Sequence, residues 1–177
     1  MDTRIVKLKV CLVGEESVGK TSLIRRFVSG VFDESYIRTL GAVVSKKTVE
    51  LTDTGAPVHV DMVILDIMGK RTFMQLFKDA YFSGARGVLA VFDLTRKASL
   101  KELVAWINGV RETVGPIPVV VLANKVDVAE RIEVQDEDVR AVLEPIGLRS
   151  MKTSAKTGEN VEEAFLGLAK SIALPEA

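Results

Sequence analysis

The chain has 177 residues, 47% of them hydrophobic, which is enough to bury one full core and short enough for a single domain. Its 24 basic and 24 acidic side chains cancel, which argues against a nucleic-acid footprint or a general attraction to anionic membrane and leaves local patches to find partners. The single cysteine excludes a disulfide within the chain, and no signal peptide or apolar run of transmembrane length is visible, which points to the cytoplasm.

The first apolar run, residues 5–13, reads as a buried strand with Cys11 as a small hydrophobe inside it. Residues 14–21 follow at once as Gly-Glu-Glu-Ser-Val-Gly-Lys-Thr, the G-x-x-x-x-G-K-[ST] phosphate loop, with a helix expected from Ser22 through Phe27. The chemistry demands this pattern. Consecutive backbone N–H groups over Gly14, Glu16, Ser17, Val18 and Gly19 can curl around a phosphate chain, Lys20 can bridge its outer phosphates, and Thr21 can offer a hydroxyl to Mg²⁺ at the positive end of the helix that continues through Ser22.

Residues 41–51 and 58–65 flank Asp53-Thr54-Gly55-Ala56-Pro57 and read as a hairpin, which sets one antiparallel strand into a sheet otherwise expected to be parallel. His59, the only histidine, has no Cys or His partner near it in sequence and is expected to be a solvated or partly packed strand residue. Ser99-Leu100-Lys101-Glu102 has the form of a capping box and predicts a helix start at Ser99, with Trp106 packed against a neighbour on that helix. Val139, Val142, Leu143 and Ile146 form another helical stripe, closed by Pro145 and Gly147. Asn160-Val161-Glu162-Glu163 repeats the start signal before the last stripe. Alternation of apolar runs with helical periods predicts an α/β fold, a single domain over 1–177, with no repeat or long linker.

Asn124-Lys125-Val126-Asp127 closes the apolar run 117–123, so it is expected at the carboxyl end of a strand, where open α/β sheets bind ligands. The Asp127 carboxylate can accept two hydrogen bonds from the ring N–H and exocyclic amine of guanine. Adenine offers neither, and would leave a desolvated carboxylate unpaired at a cost of about 1–3 kcal/mol or more. Lys125 can lay its stem on the base, Asn124 can tie this loop to the phosphate loop, and Thr153-Ser154-Ala155-Lys156 can present a backbone N–H to the guanine oxygen.

With these motifs in this order, nearly the whole chain resembles the Ras superfamily of small GTPases, most closely its Rab- and Ras-like branches. Tyr36-Ile37-Arg38-Thr39-Leu40-Gly41 looks like the family's first switch, and Asp66-Ile67-Met68-Gly69 like its D-x-x-G second switch. The resemblance implies a P-loop NTPase domain with a six-stranded, mostly parallel sheet, one antiparallel strand and about five flanking helices. It implies GTP or GDP bound with Mg²⁺, Thr21 and Thr39 ligating the ion and Asp66 acting through a metal-bound water. It further implies Phe32, Tyr36 and the segment Ser154, Ala155 and Lys156 beside the nucleotide, and Thr39 and the Gly69 N–H sensing the terminal phosphate. An exchange factor, an activating protein and effectors are implied through residues 32–45 and 66–82. The final Ala173-Leu174-Pro175-Glu176-Ala177 holds no cysteine to prenylate and residue 2 is aspartate, so no familiar lipid anchor is expected.

Two family positions are altered at the chemistry. Lys70 stands where glutamine usually orients the attacking water; an ammonium donates but cannot accept, so slow intrinsic turnover is expected, and the lysine either neutralises the γ-phosphate and favours the triphosphate state, mimics an inserted arginine, or is solvated with no catalytic part. Glu16 brings a carboxylate toward phosphate oxygens, repulsive by roughly a few kcal/mol, and either swings to solvent or pairs with a cation, for which Lys70 is one candidate. Arg38, where proline is common, is either a solvated loop residue or an arginine finger supplied in cis. The leading expectation is a cycling small GTPase, the runner-up a non-cycling GTP-binding interaction module; an ATP-using P-loop enzyme is disfavoured by Asp127.

Overall fold

The computed structural model describes residues 4–35, 38–52 and 56–174. Within them, six strands form one sheet: β1 (Arg4–Val13), β2 (Ala42–Leu51), β3 (Val58–Ile67), β4 (Gly87–Asp93), β5 (Val119–Asn124) and β6 (Ser150–Lys152), in the order β2-β3-β1-β4-β5-β6. All neighbours are parallel except β2 and β3, which pair antiparallel from Ala42↔Ile67 to Leu51↔Val58. The hairpin and the fold class are as expected, while the turn residues Asp53, Thr54 and Gly55 lie outside the described residues. Five α-helices cover the sheet: α1 (Lys20–Ser29), α2 (Arg71–Phe82), α3 (Lys97–Val114), α4 (Asp136–Leu143) and α5 (Val161–Ala173). No helix among the described residues is long and apolar enough to cross a membrane.

Alternation along the central strand divides the core in two. Leu8, Val10 and Leu12 of β1 join Leu23 and Phe27 of α1 and Phe165 and Leu168 of α5 on one face, where the Phe27 and Phe165 rings stack at 4.1 Å. Cys11 and Val13 turn to the other face with Met74 of α2 and Leu103, Trp106 and Ile107 of α3. Both faces of β4 and of β1 from Val10 to Val13 are thus dry, which is why these segments read as continuous apolar runs rather than alternating ones. Burial pushes the Cys11 thiol up to about 12, so it is an inert packing group.

Helix starts differ in mechanism from the sequence expectation. α3 begins at Lys97, two residues before the expected Ser99. Ser99 instead faces back toward the end of β4: its hydroxyl accepts from the Asp93 N–H (2.9 Å) and donates to the Arg96 carbonyl (2.7 Å). Asn160 does occupy the residue before α5, but its amide donates to the Lys152 carbonyl (2.8 Å), fastening the helix to β6 rather than capping its own N–H groups. His59 lies beside its cross-strand neighbour Glu50, 3.3 Å away and well exposed.

Candidate functional site

The parallel strands β1, β4 and β5 and the antiparallel-paired β3 end at one edge of the sheet, and the loops leaving those ends build a single cavity of about 490 Å³. Residues 14–19 leave β1 in a path few side chains would tolerate. A Cβ on Gly14 (φ +142°) would lie 2.2 Å from the Val91 carbonyl oxygen, and one on Gly19 (φ +104°) 2.2 Å from the Asn124 amide nitrogen, so both positions require glycine. Lys20, the first residue of α1, is buried beneath this loop with its ammonium donating to the carbonyls of Gly14 (2.8 Å) and Glu15 (2.7 Å). Burial lowers its pKa to about 8, against the raising influence of Asp66, Glu15 and Glu16. A buried, movable cation at the head of a helix is well suited to grip phosphate oxygens.

A second corner holds hard oxygen donors. The Thr21 and Thr39 hydroxyls are 2.9 Å apart, and both donate to Asp66 Oδ2, Thr21 by a very short bond and Thr39 over 3.3 Å. Burial raises the Asp66 pKa, partly offset by the Thr21 hydrogen bond. Asp66 Oδ1 is buried with no hydrogen-bond partner among the described residues. An orphaned buried carboxylate oxygen next to two hydroxyls is a donor set of the kind Mg²⁺ takes, so the residues present fit the ion.

At the far end of the cavity, Asn124 closes β5, donating to the Val18 carbonyl (2.9 Å) and accepting from the Thr153 hydroxyl (3.2 Å). It therefore locks the phosphate loop to the loop after β6. Lys125, in a left-handed conformation (φ 69°), donates to the Ser17 carbonyl (2.8 Å) and pairs with the buried Asp93 at 2.7 Å. Asp127 accepts from the Ser154 hydroxyl at 2.6 Å, and Ala155, Lys156 and Phe32 line the same end. Ser22, Thr39 and Gly69 also reach the wall, whereas Gly14, Val18, Asp66 and Ser154 stand behind it. Tyr36 lies outside the described residues.

The altered residues resolve differently from the pairing considered in the sequence. Glu16 pairs with Arg38 at 2.5 Å rather than with Lys70, and Arg96 donates to the Glu16 backbone carbonyl at 2.6 Å. Arg38 is therefore neither wholly solvated nor directed into the cavity as a finger. Lys70 is exposed at the residue preceding α2, with no ion pair among the described residues. Its neighbour Gly69 presses on the phosphate loop: a Cβ there would stand 2.3 Å from the Glu16 nitrogen.

Several participants escaped sequence reasoning. Trp106, fully buried on α3, donates its indole N–H to the Glu15 carboxylate (3.0 Å), a contact spanning 91 residues of chain. Asp93 offered a signal, being an acidic residue that closes an apolar run much as Asp66 does. Arg96 carried none.

A strand, glycine loop and helix that bury a lysine, beside a hydroxyl and carboxylate corner and an Asn-Lys-x-Asp strand end, define a P-loop nucleotide-binding domain. Residues 9–174 match the family model described as Ras family. Curated relatives agree. The chain is 33% identical to Ras-related protein Rab-8B of Dictyostelium discoideum over 93% of this chain and 79% of that protein. It is 34% identical to Ras-related protein Rab-5A of the same organism (97% and 83%), and 36% identical to Ras-related protein Rab-26 of Bos taurus (94% and 64%). The chain belongs to the Ras superfamily of small GTPases, on its Rab- and Ras-like branch, and is a GTP-binding protein of that class.

Proposed function

We propose that the whole chain, 1–177, is one GTPase domain that binds GTP and GDP with Mg²⁺ and hydrolyses GTP slowly when no partner helps. The carrying observation is the orphaned Asp66 oxygen beside the Thr21 and Thr39 hydroxyls, next to a buried Lys20. When bound there, Mg²⁺ would neutralise phosphate charge. Thr21 and Thr39 would hold the ion directly and Asp66 through a water. Lys20 and the N–H groups of residues 16–21 would grip and orient the phosphates, and Thr39 and Gly69 would relax when the terminal phosphate leaves, turning hydrolysis into a change of surface. Asp127, Lys125 and the loop from Ser154 to Lys156 would read guanine.

The slow rate follows from Lys70, which cannot accept a hydrogen bond from water and so cannot hold the nucleophile from both sides. Arg38, engaged by Glu16, would contribute to catalysis only after leaving that pair. Exchange factor, activator and effectors would meet residues 32–45 and 66–82, a region where Leu40, Val44 and Leu76 are exposed and Phe73, Phe77 and Tyr81 cluster on α2. The same reading keeps the protein in the cytoplasm and brings it to membranes through partners. A second reading, a GTP-binding module that does not cycle, is favoured by the Glu16–Arg38 pair, which joins phosphate loop and first switch through two side chains of the protein. Single-turnover cleavage of preloaded GTP separates the two. We expect slow but measurable turnover in the wild type and a faster rate in Lys70→Gln; no cleavage in either leaves the non-cycling module.

A further inference from the structure

Arg26 lies one turn before the end of α1, behind the nucleotide cavity rather than on its wall. Its guanidinium satisfies three backbone carbonyls. Nε donates to Ala155 O at 2.8 Å, Nη2 donates to Lys156 O by a very short bond, and Nη1 donates to Gly30 O at 3.1 Å. Two of these acceptors belong to the loop that lines the base end of the cavity, and the third begins the segment leading to Phe32 on the same wall. From the phosphate-binding helix, one planar cation thus holds both the base loop and the entry to the first switch.

The carbonyls it grips set where the loop's donors point. Each peptide unit is planar, so fixing the Ala155 C=O fixes the Lys156 N–H that shares its plane. The adjoining plane is fixed as well, because the Ser154 carbonyl accepts from the Gly158 N–H at 2.8 Å and thereby orients the Ala155 N–H. N–H groups directed at the six-position of a purine favour the oxygen of guanine and oppose the amine of adenine, which is itself a donor. Charge-assisted bonds to carbonyls are stronger than neutral ones, and the guanidinium fork reaches diverging acceptors that a single ammonium cannot reach together.

We propose that Arg26 is a positioning residue for purine selectivity: it acts through the 154–156 loop, without touching nucleotide, to hold the donors that separate guanine from adenine. The inference rests on the guanine reading above. Affinities of GDP and ADP with Mg²⁺, measured by competition against a fluorescent guanine nucleotide on the full chain, test it in wild type, Arg26→Ala and Arg26→Lys. The expected result is a roughly 10- to 100-fold loss of GDP affinity in Arg26→Ala, ADP binding within about twofold of wild type, and Arg26→Lys between the two. Selectivity that stays intact, or GDP and ADP weakening in equal proportion as general loosening of α1 would produce, overturns the role. Should Arg26→Ala not fold, the same ratio in Arg26→Lys decides. A wild type that does not prefer GDP to ADP overturns the guanine reading itself, and with it this inference.

Discussion

Arg38 and Glu16 face each other at the mouth of the nucleotide cavity, Nε to Oε1 at 2.5 Å, with 45% and 34% of their side chains exposed. An acidic residue in a phosphate loop is thereby screened by a cation from the first switch instead of repelling a nucleotide unopposed. Partial exposure limits the strength of this pair to about 0.2–1 kcal/mol, less at high salt. Its consequence lies in what remains when one partner is removed. Arg38→Ala should weaken GTP more than GDP by leaving Glu16 facing the added phosphate charge, and Glu16→Ala with Arg38→Ala should recover most of that loss. GTP and GDP affinities for the four proteins give the coupling; a zero coupling at low salt refutes the pairing in solution.

Lys20 predicts a pH dependence. Its pKa is lowered by burial from 10.5 to about 8, so between those values the unfolded chain carries a proton that the folded, ligand-free protein does not. The contribution of this group therefore makes the ligand-free fold more stable as pH rises from about 8 toward 10.5. Phosphate binding runs the other way, because it requires the ammonium. Nucleotide affinity should be insensitive to this group below pH 8 and fall above it, with proton uptake approaching one per GDP bound near pH 9. Calorimetry in two buffers of different ionisation enthalpy measures the uptake; none at pH 9 contradicts the assignment.

Gly69 should not tolerate alanine. The new methyl would meet the Glu16 nitrogen at 2.3 Å and the Glu15 carbonyl carbon at 2.5 Å, both backbone atoms that cannot swing aside. Gly69→Ala should push the second switch off the phosphate loop. The GTP-to-GDP affinity ratio is expected to fall by roughly 10-fold or more, about 1.4 kcal/mol, while the melting temperature changes little. An unchanged ratio would show that the second switch can close by another path.

Asp127→Asn tests the base end. Its carboxylate is already oriented by the Ser154 hydroxyl at 2.6 Å, so little is left to ordering and the loss should reflect the base contacts themselves. GDP affinity should drop about 10- to 100-fold, and xanthosine nucleotides, which present a carbonyl where guanine has an amine, should bind in its place. Retained guanine selectivity would move base recognition elsewhere.

Features carried by contiguous residues were legible before the structure. The phosphate loop, Asn124 through Asp127, the doubly buried strands and the hairpin each announce themselves through glycine spacing or apolar runs, because the constraint acts within a few residues. Ser99 misled because a serine at a helix start satisfies its hydroxyl backward, against Asp93 and Arg96, as readily as forward, and local pattern does not distinguish the two. The partner of Glu16 was illegible for another reason. Lys70 and Arg38 are both cations from switch segments, and which one arrives depends on the path of a loop that no periodicity describes. Long-range ties such as Arg26 to Ala155 depend on the assembled fold alone.

The indole of Trp106 is the chain's single tryptophan, and it is sealed in the core with its N–H on the Glu15 carboxylate of the phosphate loop. Every ultraviolet photon the protein emits from tryptophan therefore originates one hydrogen bond away from the phosphate loop. If the loop tightens around phosphate and relaxes after its release, the field of that carboxylate on the indole would shift, and the emission with it. That contact would give the molecule its own optical gauge of occupancy, which stopped-flow fluorescence of unlabelled protein on nucleotide loading and release would test.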